Sequence, residues 1–262
     1  MTDELLSQIE GPALQLTLNR PERRNALTPE LTEALARAIA AAPQQSGIRA
    51  IVLRGAGGHF CVGLDLRWLV TLGPTPSREV VREGLSRFQS AVRAIARSPL
   101  PVIAVLEGSV AGFGLELAAA CDLRLAAPGT SITSAFARMG LVPDGGSTFT
   151  LPRLVGSGRA LRFLTAGETL DAATAQRIGL VDEVSEDARL ETRVAELVEG
   201  IASGAEPSVR AIKRLCREAD LEAFDKALER EAQAQLEALQ GAEFKQRLQA
   251  FLTKSSTPSE LR

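Results

Sequence analysis

Pro101 to Ala127 reads PVIAVLEGSVAGFGLELAAACDLRLAA, and the way this stretch divides decides the fold. Val102 to Leu106 is an unbroken apolar run of strand length, the pattern of a strand buried on both faces. Gly108 to Gly114 is a turn of small residues. A short helix then runs through Cys121, and Asp122 to Ala126 reads as the next strand. Strand, short helix and strand in succession argue for an α/β core.

The flanks repeat the alternation. On the N-terminal side, Ala13 to Leu18 (ALQLTL) is a short strand that turns at Asn19-Arg20-Pro21, and Arg49 to Arg54 is another that ends in the loop Gly55 to Gly58. Between them Thr28 is a helix N-cap with Pro29 at the first helical position, opening an Ala/Leu-rich helix to about Ala42. Leu66 to Arg97 holds a break at Gly73-Pro74-Thr75-Pro76 and then a helical pattern. Past Pro143 the text is helical: Gly158 to Ala166, Asp171 to Ile178, and long Ala/Leu/Glu/Arg-rich runs from Asp187 onward. The expected organisation is an α/β core over residues 1–200 and a helical C-terminal region over 201–262.

Composition narrows the function classes. The 262 residues are 45% hydrophobic and 24% charged with a net charge of −2, as in ordinary globular proteins. Such a balance leaves no basic footprint for nucleic acid. Cys61, Cys121 and Cys216 are widely spaced and form no CxxC, which argues against a disulfide framework or a zinc site and suits a reducing compartment. The opening MTDELLSQIE lacks the basic and apolar regions of a signal peptide. The most apolar long stretch, Gly108 to Ala127, carries Glu116, Asp122 and Arg124, too many charges for a membrane span. A cytoplasmic protein with no membrane or nucleic-acid partner is expected.

None of the glycine clusters fits a nucleotide loop. Gly55-Ala56-Gly57 leads to Phe60 where a dinucleotide fingerprint needs its third glycine, and Gly112-Phe113-Gly114 leads to Leu117. What remains is two turns, Phe60 to Asp65 and Ala111 to Glu116, each built of small residues and each running into a carboxylate. Orphan N–H groups at such turns favour negative charge in front of them. Two turns converging would make an oxyanion hole; alternatively, both are merely tight, close-packed turns.

Five segments in order carry a resemblance: NRPERRNAL (Asn19 to Leu27), FCVGLDL (Phe60 to Leu66), AGFGLELAAACDLRLAA (Ala111 to Ala127), MGLVPDGGSTFTLPRLVG (Met139 to Gly156) and GLVDEV (Gly179 to Val184). Together they resemble the enoyl-CoA hydratase/isomerase (crotonase) family through nearly all the chain. The resemblance implies a core of stacked β-β-α units followed by a helical C-terminal trimerisation region, with trimers that often pair into hexamers. It also implies an acyl-CoA thioester substrate, no metal or redox cofactor, and backbone donors at Leu64 and Phe113 for the thioester oxygen. Many family members have glycine where this chain has Phe113. Any residue but proline keeps the donor.

The same resemblance implies roles for side chains. Glu116 falls where hydratases carry the first of two catalytic glutamates, and Phe136 falls where they carry the second. Asp144 falls where several isomerases, and a dehalogenase, place a catalytic aspartate. Arg24 matches a basic position that meets the CoA phosphates, and Lys254 resembles a C-terminal lysine with the same task. Each has a bland alternative: Asp144 sits in ordinary turn composition, and Arg24 and Lys254 could be solvated charges. Glu116 is the hardest to explain structurally, because a carboxylate among apolar neighbours is costly unless paired or functional. Asp65 and Asp122 read as cap or turn residues, and His59 as a solvated loop histidine. Glu116 as the proton carrier with Asp144 as a second acid/base suits double-bond isomerisation best, and enoyl-CoA hydration next. The alternatives are dehalogenase-like displacement, tailoring of a carrier-protein thioester, or a non-catalytic acyl-CoA-binding protein on the same fold.

Overall fold

The computed structural model describes residues 4–72 and 77–256, the side chains of 254–256 excepted. The break read at Gly73 to Pro76 and the side chain of Lys254 therefore lie outside the described residues. In chain order the elements begin with β1 (Leu5–Glu10), β2 (Ala13–Leu18), α1 (Pro29–Ala41) and β3 (Ala50–Gly55). Next come α2 (Leu66–Thr71), α3 (Arg78–Arg97), β4 (Val102–Leu106), β5 (Ser109–Ala111) and α4 (Phe113–Ala120). After β6 (Leu123–Ala126) and β7 (Ser131–Thr133) follow α5 (Ser147–Val155), α6 (Ser157–Ala166), β8 (Thr169–Asp171), α7 (Ala172–Arg177) and β9 (Glu183–Val184). Three helices finish the chain: α8 (Asp187–Ser203), α9 (Glu206–Gln240) and α10 (Ala242–Ser256).

Local chemistry sets several of these boundaries. The Thr28 hydroxyl accepts a hydrogen bond from the Leu31 N–H, and Pro29 supplies the fixed φ of the first helical position. Asp65 caps α2 by accepting from the Arg67 N–H, so the cap expected of it is present. Strand β1 was not legible in the sequence. Its only buried residue is Leu5, and an exposed edge strand leaves no alternating pattern to read.

Among the described residues the strands form two sheets, ordered β1-β2-β3-β4-β6-β9 and β5-β7-β8. In the larger sheet β1 is antiparallel to β2, and every later pairing is parallel. Alternate residues of β3 and β4 serve two cores. Ile51, Leu53, Val102 and Ala104 join α1 and α3 through Leu31, Leu35, Phe88 and Val92. Val52, Ile103 and Val105 pack on the other face against Leu190, Val194 and Val198 of α8. Helices on both faces are why β4 reads as a continuous apolar run.

The C-terminal helices are stitched to the core. Lys213 of α9 is buried and donates from Nζ to the Leu100 carbonyl at 2.8 Å and to Asp122 Oδ2 at 2.6 Å. Asp122 also accepts from the Val102 N–H and from Arg217, so the residue read as a turn carboxylate joins β4 to α9. His59 is likewise held rather than freely solvated. Its Nδ1 accepts from the Ser109 N–H at 3.1 Å, which ties the glycine loop to β5. Among the described residues no helix is long and apolar enough to cross a membrane.

Candidate active site

The two turns picked out in the sequence lie against each other. Isolated parallel bridges pair Leu27 with Leu64 and Cys61 with Val110, so the Phe60–Asp65 turn runs between the Arg24–Leu27 segment and β5. Gly63 has φ +97°, and a Cβ placed on it would lie 3.0 Å from the Phe113 nitrogen. Only glycine lets the turns approach this closely. Phe113 is the first residue of α4, where an N–H has no intrahelical acceptor. The neighbouring bonds, Leu27 N–H to the Gly63 carbonyl and Asp65 N–H to the Leu27 carbonyl, bypass Leu64. Among the described residues neither the Leu64 nor the Phe113 N–H has a backbone acceptor.

Both residues line a cavity of about 590 Å³. Its walls are largely apolar, with Trp68, Leu85, Phe113, Phe136, Met139 and Leu141 among them. The Trp68 indole packs edge-on against Phe88, 5.2 Å between centroids, and a Cβ at Gly84 would collide with it at 2.3 Å. Arg24 lies at this cavity too, exposed and in the left-handed region at φ 48°. The buried Asn25 side chain donates to the Ala56 and His59 carbonyls and fixes the bend that presents it.

The two acid/base candidates are neighbours. Both are buried, Glu116 0% and Asp144 1% exposed, but only Asp144 is among the residues that line the cavity. Glu116 Oε1 accepts from the Ser147 hydroxyl at 2.8 Å and from the Ser147 N–H at 3.3 Å. Asp144 Oδ2 accepts from Gln235 Nε2 at 3.3 Å. Glu116 Oε2 and Asp144 Oδ1 have no partner among the described residues. The Pro143-Asp144-Gly145-Gly146 run is more than turn composition. A Cβ at Gly145 would come within 2.8 Å of both Glu116 Oε2 and the Phe113 ring, and one at Gly146 within 2.3 Å of the Phe224 ring.

A third carboxylate stands beside them. Glu231 of α9 is 5% exposed and accepts from the Gly146 N–H at 2.6 Å, the Thr148 N–H at 2.8 Å and the Thr148 hydroxyl. These partners open α5, where the helix dipole favours an anion. No ion pair to a cation involves any of the three carboxylates among the described residues. Burial pushes Glu116 well above the usual carboxylate range, with the charges of Asp144 and Glu231 adding to it. Asp144 is pushed up to about 7, first by burial and then by Glu231. Glu231 is also raised by burial, while its three hydrogen bonds oppose the shift. Ser147, Glu231 and Gln235 escaped the sequence reading. Ser147 left a trace as the polar residue after two glycines at a helix start, but Glu231 and Gln235 look like any others in a long polar helix.

Residues 8–260 match the family model for enoyl-CoA hydratase/isomerase. A 1,2-epoxyphenylacetyl-CoA isomerase of Escherichia coli K12 is 33% identical over 98% of both chains. A probable enoyl-CoA hydratase of Rhodobacter capsulatus is 38% identical over 94% of this chain and 93% of its own. The crystal structure of an enoyl-CoA hydratase from Bacillus halodurans superposes with a TM-score of 0.89 at 30% identity, covering 95% of this chain and 100% of that one. A mixed α/β core with a helical C-terminal region, two abutting amide turns and a match along nearly its whole length make this chain a member of the enoyl-CoA hydratase/isomerase, or crotonase, family of acyl-CoA enzymes.

Proposed function

We propose that the protein isomerises the double bond of an enoyl-CoA thioester, with Asp144 moving the proton. The observation that carries this reading is the place of Asp144: a buried residue among those that line the cavity with Leu64 and Phe113, its carboxyl pushed up to about 7. A group near the operating pH is well matched to both taking and returning a proton. With a 3-enoyl-CoA, the thioester oxygen would accept from the Leu64 and Phe113 N–H groups. Ionised Asp144 would remove a proton from Cα, and the C–H electrons would pass into the dienolate held by those donors. Return of the proton to Cγ would then give the conjugated 2-enoyl-CoA. Arg24 would meet the CoA phosphates at the cavity mouth. Glu116 would stand behind Asp144 and share its proton field.

Phe136 supports isomerisation over hydration. It lines the cavity at the place that the resemblance gives to the second hydratase glutamate, and a phenyl ring cannot orient a nucleophilic water. The test compares equilibration of 3-enoyl- with 2-enoyl-CoA against hydration of crotonyl-CoA. Isomerisation is expected to be faster and, in D₂O, to place deuterium at Cα or Cγ. Phe136→Glu is expected to raise hydration relative to isomerisation. Fast crotonyl-CoA hydration with no detectable isomerisation by the wild-type protein would overturn the proposal.

A further inference from the structure

Glu231 and Gln235 are four residues apart on α9, so they project from one helix face, and they are only 5% and 2% exposed. Burying a carboxylate and an amide on a helix is costly unless both are well partnered. Their partners all belong to one segment. Gln235 accepts from the Val142 N–H at 3.0 Å and donates to Asp144 Oδ2 at 3.3 Å. Glu231 holds the Gly146 and Thr148 N–H groups. From α3, Gln89 Nε2 donates to the Asp144 carbonyl at 2.9 Å and to the Leu228 carbonyl at 3.0 Å, locking the same segment to α9. The turn that carries Asp144 is thus gripped on both sides of that residue by a helix far away in sequence.

We infer that Glu231 and Gln235 are positioning residues for Asp144: they fix the direction in which its carboxyl faces the cavity and the local field in which it exchanges a proton. This inference rests on the reading of Asp144 as the acid/base. The groups facing Asp144 are Glu116 from α4, Glu231 and Gln235 from α9, and Gln89 from α3 at its backbone. Burial acts first on Asp144, raising its pKa, and the Glu231 charge raises it further. The Gln235 hydrogen bond stabilises the ionised form and opposes both. The two α9 residues therefore pull in opposite directions on one carboxyl.

Opposition is what the test reads. The whole protein is prepared with carbon-13 at the aspartate carboxyls, and Asp144→Asn identifies the Asp144 resonance. Removing the Glu231 charge in Glu231→Gln is expected to lower the Asp144 titration midpoint. Removing the donor in Gln235→Leu is expected to raise it. In both variants kcat on the preferred enoyl-CoA is expected to fall roughly tenfold to a hundredfold, with KM within about twofold, as for a displaced catalytic group. An unmoved midpoint, or shifts in the same direction, would overturn the inference and leave Glu231 as a helix cap. Should Glu231→Gln not fold, the rise or absence of a rise in Gln235→Leu decides alone. Wild-type turnover in Asp144→Asn would sink the proposed function instead, and the midpoints would still report whether α9 sets the field at Asp144.

Discussion

Asp144→Asn is expected to lower turnover of a 3-enoyl-CoA by about a thousandfold, within the range for loss of a general acid/base. The amide fills the same volume, and its oxygen can still accept from Gln235, so the turn should keep its shape. What disappears is the only group of the buried carboxylate cluster that also lines the cavity. Glu116→Gln is expected to cost markedly less, because Glu116, unlike Asp144, is not among the residues that line the cavity. Steady-state kinetics of both variants on a 3-enoyl-CoA, with circular dichroism to confirm folding, checks this order. Were Glu116→Gln the more damaging, Glu116 would be the group that meets the substrate after all, as the resemblance had implied.

Gly63→Ala is expected to reduce turnover by about a hundredfold, the usual scale for losing one oxyanion donor. A methyl group there would sit 3.0 Å from the Phe113 nitrogen and 3.1 Å from the Ala111 carbonyl oxygen. It must displace either the Phe113 amide or the substrate oxygen approaching that amide. The backbone also opposes it, since φ +97° is a conformation that residues with a Cβ rarely adopt. Leu64→Ala is the control. It trims a side chain but keeps the proposed N–H donor, so its turnover should stay near wild type. A folded Gly63→Ala protein with undiminished kcat would show that the two turns do not share a thioester oxygen.

Much of the architecture was legible because it is written in local chemistry. The Thr28-Pro29 start of α1 and the apolar run of β4 fall where sequence rules put them. Those signals need only a residue and its neighbours. Strand β1 was missed for the converse reason: its pairing with β2 is local, but its exposed residues carry no pattern.

The candidate site divides along the same line. By itself the sequence determined the two glycine turns, the carboxylates at 116 and 144, Phe136 in place of a carboxylate, and the family to which their order belongs. Each is a matter of residue type at a spacing along the chain. Only the tertiary structure puts Asp144, and not Glu116, among the residues that line the cavity, since that depends on how α4 packs against the turn before α5. It also decided that α9, which the sequence offers only as a helical C-terminal region, supplies Glu231 and Gln235 to the Asp144 turn. Buried charge is the physical reason. Proton affinity in a cluster with no counter-cation among the described residues is set by burial and by the distance to other carboxylates, and residues 85 to 91 positions apart come within hydrogen-bonding distance only once the chain has folded.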